Sequence, residues 1–304
     1  MSGWDTEWGV AQQPARPTAG GANGPAAGRA EFIYASWAGV AQGEPAKSVF
    51  FGRQIRTNRQ RPSGRAPHRY FCLMHTFFAP SLSGATYTLP EDESKHAVRV
   101  LRLGPGDAVA LLDGRGGVYQ AAVADAHPKR CQLRITAHAQ VPPRPYFTHL
   151  AVAPTKNLDR MEWLVEKAVE IGVERISFLR CARSERRELK LERLEKIVVS
   201  ALKQSGQAWL PQLDELTDYA AFVAAVAPAT TFIAHLEAGE RTALAQVAGA
   251  GPGCCVLIGP EGDFSPAEID LALGRGIRPV TLGPSRLRTE TAALAAVFTI
   301  HFCQ

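Results

Sequence analysis

The chain has 304 residues, of which 46% are hydrophobic and 21% are charged, and its formal net charge is +5. This length suffices for two ordinary domains, and the composition is that of a globular protein with a buried core, which excludes a fully disordered chain. No run approaches the roughly 18 consecutive apolar residues of a membrane-spanning helix, and the first residues lack the features of a secretory signal.

The whole net positive charge of the chain comes from residues 1–73. This segment holds 9 of the 34 basic and 4 of the 29 acidic side chains, so the remainder is balanced at 25 of each. Bulk charge therefore does not indicate nucleic-acid binding, and only local patches could do so. The segment is also rich in glycine and proline and has no periodicity, which predicts a disordered tail or a non-native extension ahead of a start at Met74.

The six cysteines form no CxxC pair, and none has the spacing to histidine that a zinc site requires. Cys254 and Cys255 lie inside the apolar run CCVLIG. We therefore predict buried thiols in a reducing cytoplasm, with no disulfide and no metal.

Residues 74–143 consist of short apolar runs separated by glycine-rich turns. The runs are ATYTL, HAVRVLRL, AVALLD, VYQAAVA and CQLRITAHA. This alternation predicts a small β-barrel, in which HAVRVLRL is a half-buried strand. The PPRP segment at residues 142–145 is typical of a stiff linker and marks a domain boundary.

From residue 146 onward, strand patterns alternate with helix patterns. The segments THLAVA, RISFLR, TTFIAHL, CCVLIG and PVTLG predict strands. Asp159 and Glu162 have capping-box spacing at the start of one helix, and Ser265 and Glu268 have it at the start of another. Two further helical patterns follow RISFLR and PVTLG. These residues predict a mostly parallel sheet with helices on both faces.

Two of the loops that follow predicted strands carry groups suited to chemistry, and in open α/β sheets ligands bind beyond the carboxyl ends of the strands. In the first loop, Gly259 and Gly262 allow a backbone to approach a ligand closely, just before a helix N-terminus. The second loop, LGPSRLRTETAA, clusters Arg, Thr and Glu side chains beside an apolar helix. Each loop also has a purely structural interpretation, as a strand-to-helix turn and as a helix cap.

Several motifs are absent from the sequence. No GxGxxG follows the first strand of the α/β part, which disfavours a dinucleotide site or a common Rossmann methyltransferase site. The sequence contains no GxxxxGK[ST], HExxH or GxSxG motif either. P-loop, metalloprotease and hydrolase functions therefore have no support.

The segments IGPEGDFSPAEI and LGPSRLRTETAAL together resemble the signatures of the RsmE-type 16S ribosomal RNA (uracil(1498)-N(3))-methyltransferases, which belong to the SPOUT superfamily. Four more segments resemble this family in the same order: FFAPSLSGATYTLPEDESKHAVRVLRLGPGD, APTKNLDRMEWLVEKAVEIGV, RSERREL and ALKQSGQAWLP. The resemblance covers nearly all of residues 74–304, and the family's sequence begins where Met74 stands in this chain.

The resemblance implies an α/β fold class with a PUA-like RNA-binding β-barrel in residues 74–143. It implies a SPOUT methyltransferase domain with a trefoil knot in residues 146–304, and a homodimer with active sites at the interface. It also implies S-adenosyl-L-methionine as the cofactor and 16S ribosomal RNA of the small ribosomal subunit as the partner, methylated at N3 of one uracil in the cytoplasm. It implies neither a metal nor a membrane.

Carried onto this sequence, the resemblance implies a cofactor site and supports two RNA-binding clusters. The cofactor site comprises Leu236, Glu237, Gly259, Pro260, Glu261, Gly262, Leu282, Gly283, Leu287, Arg288, Thr289 and Ala292. The RNA clusters are Lys95, Arg99 and Arg102 in the barrel and Arg183, Arg186 and Arg187 after RISFLR, with solvated surface charge as the alternative. The chain departs from the family at Gln207, Ser285 and Arg286, where the family usually has Arg, Arg and an aliphatic residue.

Methylation of uracil N3 requires that the N3 proton be removed and that charge on the pyrimidine oxygens be stabilised. Arg288 is the candidate for the second task, since a guanidinium cannot act as a base. Glu261 or Glu290 is a candidate base if burial makes its carboxylate basic enough, water is an equal candidate, and Glu290 has an alternative role as a helix-start charge. Two rival functions remain: a SPOUT enzyme that methylates a ribose 2′-hydroxyl, and a non-catalytic RNA-binding module.

Overall fold

The computed structural model describes residues 74–249 and 251–304. The predicted tail, residues 1–73, lies outside the described residues. Among the described residues, no helix is long and apolar enough to cross a membrane. Five of the six cysteines are described; Cys131, Cys181, Cys254 and Cys255 are buried free thiols and Cys303 is a half-buried one, so the prediction of buried thiols is confirmed at four positions.

The first part of the described chain is a curled five-stranded sheet. Its strands are β1 (Thr76–Phe78), β2 (Thr86–Thr88), β3 (Ala108–Leu112), β4 (Gly117–Asp125) and β5 (Gln132–Gln140). They are ordered β1-β3-β4-β5-β2, and every pairing is antiparallel except that of β1 with β3. Alternate residues of these strands, such as Val109, Leu111 and Leu133, are buried in a core of their own, as the sequence pattern predicts.

The prediction of a strand at HAVRVLRL is wrong. The chain forms a short helix, α1 (Glu91–Lys95), which continues as a π-helical segment (His96–Val100). Ser94 and Ala97 are buried, and Val98 and Leu101 are half-buried, which is helical spacing and not alternation. The three acidic residues that follow Pro90 stabilise the helix start, and this signal outweighs the alternating pattern that follows it.

The second part of the described chain is a seven-stranded sheet in which every pairing is parallel. Its strands are β6 (Phe147–Val152), β7 (Arg175–Arg180), β8 (Gln212–Asp218), β9 (Thr231–Ala234), β10 (Thr242–Ala243), β11 (Gly253–Ile258) and β12 (Arg278–Thr281). They are ordered β10-β12-β9-β11-β6-β7-β8. The five predicted strands are all present, whereas the two edge strands β8 and β10 were not predicted, because the sequence of β8, QLDELTD, is largely polar and β10 has only two residues.

Helices cover both faces of this sheet, as predicted. They are α2 (Leu158–Ile171), α3 (Leu191–Ser205), α4 (Tyr219–Ala225), α5 (Leu244–Val247), α6 (Pro266–Gly274) and α7 (Thr289–Phe302). One core contains residues of α2, α3, α5 and α7 packed on Leu150, Val256 and their neighbours. The other contains residues of α4 and α6 packed on Ala151, Leu257 and their neighbours. Consecutive strand residues thus enter opposite cores.

The predicted helix caps have different outcomes. Ser265 and Glu268 form the predicted capping box at α6, with Pro266 at the first helical position. At α2 the prediction of an Asp159–Glu162 box is wrong, because the cap is Asn157, whose side chain accepts a hydrogen bond from the Asp159 amide at 2.9 Å. Asp159 lies instead in the first turn, where its charge favours the helix N-terminus.

The buried His149 on β6 makes the stability of this fold depend on pH. Burial lowers the pKa of its imidazole to about 4; the Arg175 guanidinium adds to this effect and the Asp214 carboxylate opposes it. In an unfolded chain the pKa of histidine is about 6.5. The unfolded state therefore binds a proton more readily between these two values, and the free energy of unfolding decreases as the pH falls through this window.

We expect His149→Gln to reduce this pH dependence. The free energy of unfolding of the unmodified chain should fall between about pH 6.5 and pH 4 by up to about 3 kcal/mol more than that of the variant, because only the variant lacks the buried imidazole. Urea unfolding at a series of pH values measures the difference. The control is Val152→Ala, a buried substitution on the same strand that removes no ionisable group and should lower the free energy of unfolding by a similar amount at every pH; an equal change in the pH dependence for both substitutions would contradict the assignment to His149.

Candidate active site

A cleft of about 540 Å³ lies at the carboxyl ends of β9, β11 and β12. These three strands are neighbours in the sheet: Ala234, the last residue of β9, pairs with Ile258, the last residue of β11, and with Val280, the next-to-last residue of β12. The loops that follow them therefore begin side by side. This is the position at which open parallel sheets bind ligands.

Most of the predicted cofactor residues line this one cleft. Ten of the twelve do so: Leu236, Gly259, Pro260, Glu261, Leu282, Gly283, Leu287, Arg288, Thr289 and Ala292. Glu237 and Gly262 do not belong to its wall; Glu237 is exposed, and the Gly262 carbonyl accepts a hydrogen bond from Arg183 at 2.8 Å. The two loops that stand far apart in the sequence thus form a single surface.

The loop after β11 is bound to the loop after β9 by Asp263. This residue has a left-handed φ of 63°, its amide donates to the Pro260 carbonyl at 2.9 Å, and its carboxylate accepts from the Leu236 amide at 2.7 Å. Gly259 at the start of the loop admits no side chain without adjustment, because a Cβ would lie 3.1 Å from the Phe264 amide nitrogen. A side chain at this position would press on the buried Phe264, so glycine allows the loop to pass this close to the core.

The loop after β12 is bound to the same region through the start of α7. The Thr289 hydroxyl donates to the Gly259 carbonyl at 3.1 Å. Within the loop, Gly283 has a φ of 131°, a backbone conformation that favours glycine. The first amides of α7 begin at this wall of the cleft, and a helix N-terminus favours an anionic group.

The two candidate acids occupy different environments. The Glu290 side chain lies in the first turn of α7 and is buried, with Oε1 3.5 Å from Arg160 Nη1. Its other oxygen, Oε2, is buried without a hydrogen-bond partner in the described part of the chain. Glu261 is exposed, and its Oε1 accepts from the Lys156 amide at 2.9 Å. This buried oxygen in the cleft wall is therefore suited to accept a hydrogen bond from a group that enters the cleft.

His235 is a second wall residue with unpaired polar atoms, and sequence reasoning did not identify it. It follows β9 directly and is 8% exposed, and neither ring nitrogen has a partner among the described residues. Burial lowers the pKa of His235, the Asp263 carboxylate opposes this, and the Arg241 guanidinium adds to it. The imidazole is therefore neutral at pH 7 and offers one donor and one acceptor. Its position after a strand end was the only signal in the sequence.

Four arginines line the cleft: Arg160, Arg241, Arg286 and Arg288. Arg241 donates to the His235 carbonyl, and Arg160 pairs with Glu290. Arg288 is exposed and makes no side-chain hydrogen bond or ion pair within the described residues, so its guanidinium is available to a ligand. Arg160 comes from α2 and Arg241 from the segment before β10, so neither could be assigned to this site from local sequence.

The predicted RNA-binding residues fall into two structurally different groups. Lys95 pairs with Glu91 at 2.8 Å one turn away, while Arg99 and Arg102 are exposed. After β7, Arg183 and Arg186 bind backbone carbonyls of the loops around the cleft. Their acceptors are Gly262 and Phe264 for Arg183 and Thr155 and Lys156 for Arg186. The third member of that group, Arg187, is exposed.

Comparisons with known proteins match both parts of the chain. Residues 142–301 match the model of an RNA methyltransferase domain, and residues 89–136 match that of an RNA methyltransferase PUA domain. The chain is 32% identical over 228 residues to ribosomal RNA small subunit methyltransferase E of Mycobacterium bovis. This alignment covers 71% of the chain and 86% of that protein.

Two solved structures are similar along most of the described chain. A probable rRNA-methyltransferase from Porphyromonas gingivalis has a TM-score of 0.71 and 40% identity, covering 76% of this chain and 98% of its own. The second is a ribosomal RNA small subunit methyltransferase E from Neisseria gonorrhoeae, bound to S-adenosyl methionine, with a TM-score of 0.67 and 28% identity. The match covers 74% of this chain and 95% of that structure's chain. The similarity therefore extends over both sheets.

Proposed function

This chain belongs to the family of ribosomal RNA small subunit methyltransferase E, and we propose that it uses S-adenosyl-L-methionine to methylate N3 of one uridine, uracil 1498, in 16S ribosomal RNA. The observation that carries the proposal is the cleft at the ends of β9, β11 and β12, whose wall contains unpaired buried atoms of His235 and Glu290. A ribosomal substrate would be met in the cytoplasm, which is the location that we propose for the enzyme.

The residues of the cleft fit S-adenosylmethionine. The volume of about 540 Å³ lies in the range of small-molecule sites. The bare backbone at Gly259 and Gly283 allows close approach, the α7 N-terminus suits a carboxylate, and the neutral His235 ring suits hydroxyl or amine groups. When bound, this cofactor supplies an electrophilic methyl group on a sulfonium. The twelve predicted cofactor residues remain our proposed contacts.

We assign the proton acceptor to Glu290 in preference to Glu261. The Glu290 carboxylate is buried, has one oxygen without a partner in the described chain, and lies beside Arg160, with Oε1 3.5 Å from Nη1. Such an oxygen is suited to accept the N3 proton of a uracil held in the cleft. Glu261 is exposed and its carboxylate binds the Lys156 amide, which gives it a structural task. Arg288 has a free guanidinium to stabilise charge developing on the pyrimidine oxygens.

Paired substitutions separate the two acids. Glu290→Gln should lower kcat by about 10²-fold or more, because the proton acceptor is lost while the shape of the wall is kept. Glu261→Gln should leave kcat within about threefold. Single-turnover methylation measures the rates, and calorimetry with S-adenosylmethionine checks that cofactor affinity is retained. An unchanged kcat for Glu290→Gln would leave Glu290 as a helix-start charge and water as the acceptor.

The surface of α7 supports a homodimer. Although its inner face is buried, Phe298 and Phe302 are 45% and 75% exposed and stack with ring centroids 5.8 Å apart. Trp163 on the adjacent α2 is 46% exposed. Exposed aromatic clusters of this kind mark association surfaces. The family membership supports the same assembly and a trefoil knot in residues 146–304, and the bond from Thr289 to Gly259 brings the segment after β12 against the loop after β11, as a knotted path requires.

We propose that RNA binds the helical segment between β2 and β3 through the exposed Arg99 and Arg102, with Lys95 beside them, and that Arg187 extends the contact near the cleft. Arg183 and Arg186 donate to backbone carbonyls of the loops around the cleft, and we propose that their positive charge there attracts the RNA. The helical conformation of residues 95–100 supports this assignment, because it projects Arg99 on an exposed face.

Charge reversal tests the RNA surface. Arg99→Glu should weaken RNA binding for all sequences and flatten the log–log salt dependence of affinity by about 0.7 to 1, because one phosphate contact is lost. The control is Lys196→Glu, an equal change of charge at an exposed position on α3. Filter binding at several salt concentrations measures both slopes. If both variants had the same small effect on affinity and salt dependence, Arg99 would be a solvated surface charge that does not contact RNA.

The function itself is tested by incubating the protein and S-adenosylmethionine with small ribosomal subunits from a strain that lacks the enzyme. We expect one N3-methyluridine at position 1498, identified by nucleoside mass spectrometry and primer extension. A 2′-O-methylated product would identify the ribose methyltransferase alternative. Failure to bind S-adenosylmethionine in calorimetry would identify a non-catalytic RNA-binding module.

A further inference from the structure

A second cleft, of about 570 Å³, lies at the other end of the strands of the parallel sheet. It is formed at the amino ends of the strands, where Phe147, Arg175 and Gly253 are the first residues of β6, β7 and β11. The proposed methyltransferase chemistry uses the carboxyl ends and does not involve it. Its wall combines apolar groups from α4 and the following turn with a polar network in which His149 and Ser177 are buried and Arg175 and Asp214 are half-buried.

The hydrogen bonds of this polar network determine which of its atoms donate and which accept. The Asp214 carboxylate accepts hydrogen bonds from Arg175 Nε at 2.7 Å and from the Ser177 hydroxyl. Because the Ser177 hydroxyl proton is used in this bond, Ser177 Oγ can only accept from His149 Nε2, which lies 2.7 Å away. The proton of the neutral His149 ring is therefore on Nε2, and Nδ1 carries the lone pair.

The cleft consequently presents a fixed acceptor beside a fixed donor. His149 is 92% buried, and its Nδ1 makes no hydrogen bond within the described residues. Among the same residues, the guanidinium of Arg175 bonds through Nε alone, which leaves its terminal N–H groups for a ligand. Burial and the Arg175 charge keep the pKa of His149 near 4, so the acceptor persists at neutral pH.

The charges in the wall favour an uncharged ligand. The Arg175 cation is paired with the Asp214 anion, so no net charge remains to attract a phosphate or a metal ion. The rings of Phe147 and Phe222 supply flat apolar surface, with Phe222 packed edge-to-face on His149 at a centroid distance of 5.7 Å. The cavity is large enough for a nucleoside.

We propose that this second cleft binds a planar lactam or imide heterocycle, the base of a free nucleoside, whose ring N–H donates to His149 Nδ1 and whose adjacent carbonyl accepts from Arg175. A ring with an N–H beside a carbonyl presents a donor and an acceptor on one edge, which is the complement of the His149 and Arg175 pair. This site is independent of the methyltransferase cleft, because it shares no wall residue with it.

A matched pair of ligands tests this proposal on the full chain. Inosine carries the required N–H and carbonyl, and 1-methylinosine has a methyl group in place of the N–H proton. With S-adenosylhomocysteine present in excess to fill the first cleft, inosine should bind measurably in ligand-observed NMR and calorimetry, and 1-methylinosine at least about tenfold more weakly. The inosine affinity should stay constant from pH 8 to pH 6, because His149 remains neutral there.

Substitution of Ser177 tests the tautomer argument. Ser177→Ala removes the acceptor that holds the His149 proton on Nε2, so inosine should bind about tenfold more weakly or worse. Ser205→Ala, on α3 and outside both clefts, is the matched control and should bind inosine normally. Thermal unfolding checks that both variants fold. Absence of inosine binding to the unmodified chain, or equal binding of inosine and 1-methylinosine, would overturn the proposal and leave the network as an anchor between β6, β7 and β8.

Discussion

The carboxylate of Asp263 accepts a hydrogen bond from the Leu236 amide at 2.7 Å and so joins the loops that follow two different strands. It reaches that amide because Asp263 adopts a left-handed φ of 63°, a conformation that aspartate tolerates better than most residues with a side chain. The third loop is attached by the Thr289 hydroxyl at the Gly259 carbonyl. Loops beyond the end of a sheet have no strand ladder to order them, so these bonds from side chains to the backbone fix the shape of the cleft.

The location of both clefts follows from the architecture of the sheet. Helices cover both faces of the seven parallel strands, and consecutive strand residues pack into two apolar cores. Polar groups can therefore approach a ligand only at the two ends of the strands. At the carboxyl end, His235 and Glu290 keep buried atoms without partners in the described chain. At the amino end, the hydrogen bonds to Asp214 leave Nδ1 of His149 and the terminal N–H groups of Arg175 without partners in the described chain.

The comparison of Glu261 with Glu290 shows how position decides the chemistry of a carboxylate. Both follow strand ends and both line the same cleft. Glu261 is exposed to solvent and accepts a hydrogen bond from a backbone amide, whereas Glu290 is buried in the first turn of α7 beside Arg160. Burial strengthens the interaction of Glu290 with any donor that enters, since little water competes for it. The arginine that accompanies it comes from α2, more than a hundred residues earlier in the chain.

The sequence by itself determined the features that depend on near neighbours. The five apolar strands, the amphipathic helices between them and the Ser265 capping box were predicted because burial pattern and cap chemistry act within a few residues. The two loops near Gly259 and Arg288 were identified for the same reason, from residues that follow a strand. Where two local signals compete, as in residues 91–100, the pattern of alternation predicts a strand, but the acidic helix start after Pro90 outweighs it. Only the tertiary structure decided that His235, Arg160 and Arg241 share a wall with those loops, that Glu290 is buried, and that His149 faces Ser177. These relations depend on the order of strands in the sheet, which is set by packing between segments far apart in the chain and leaves no pattern within any one of them.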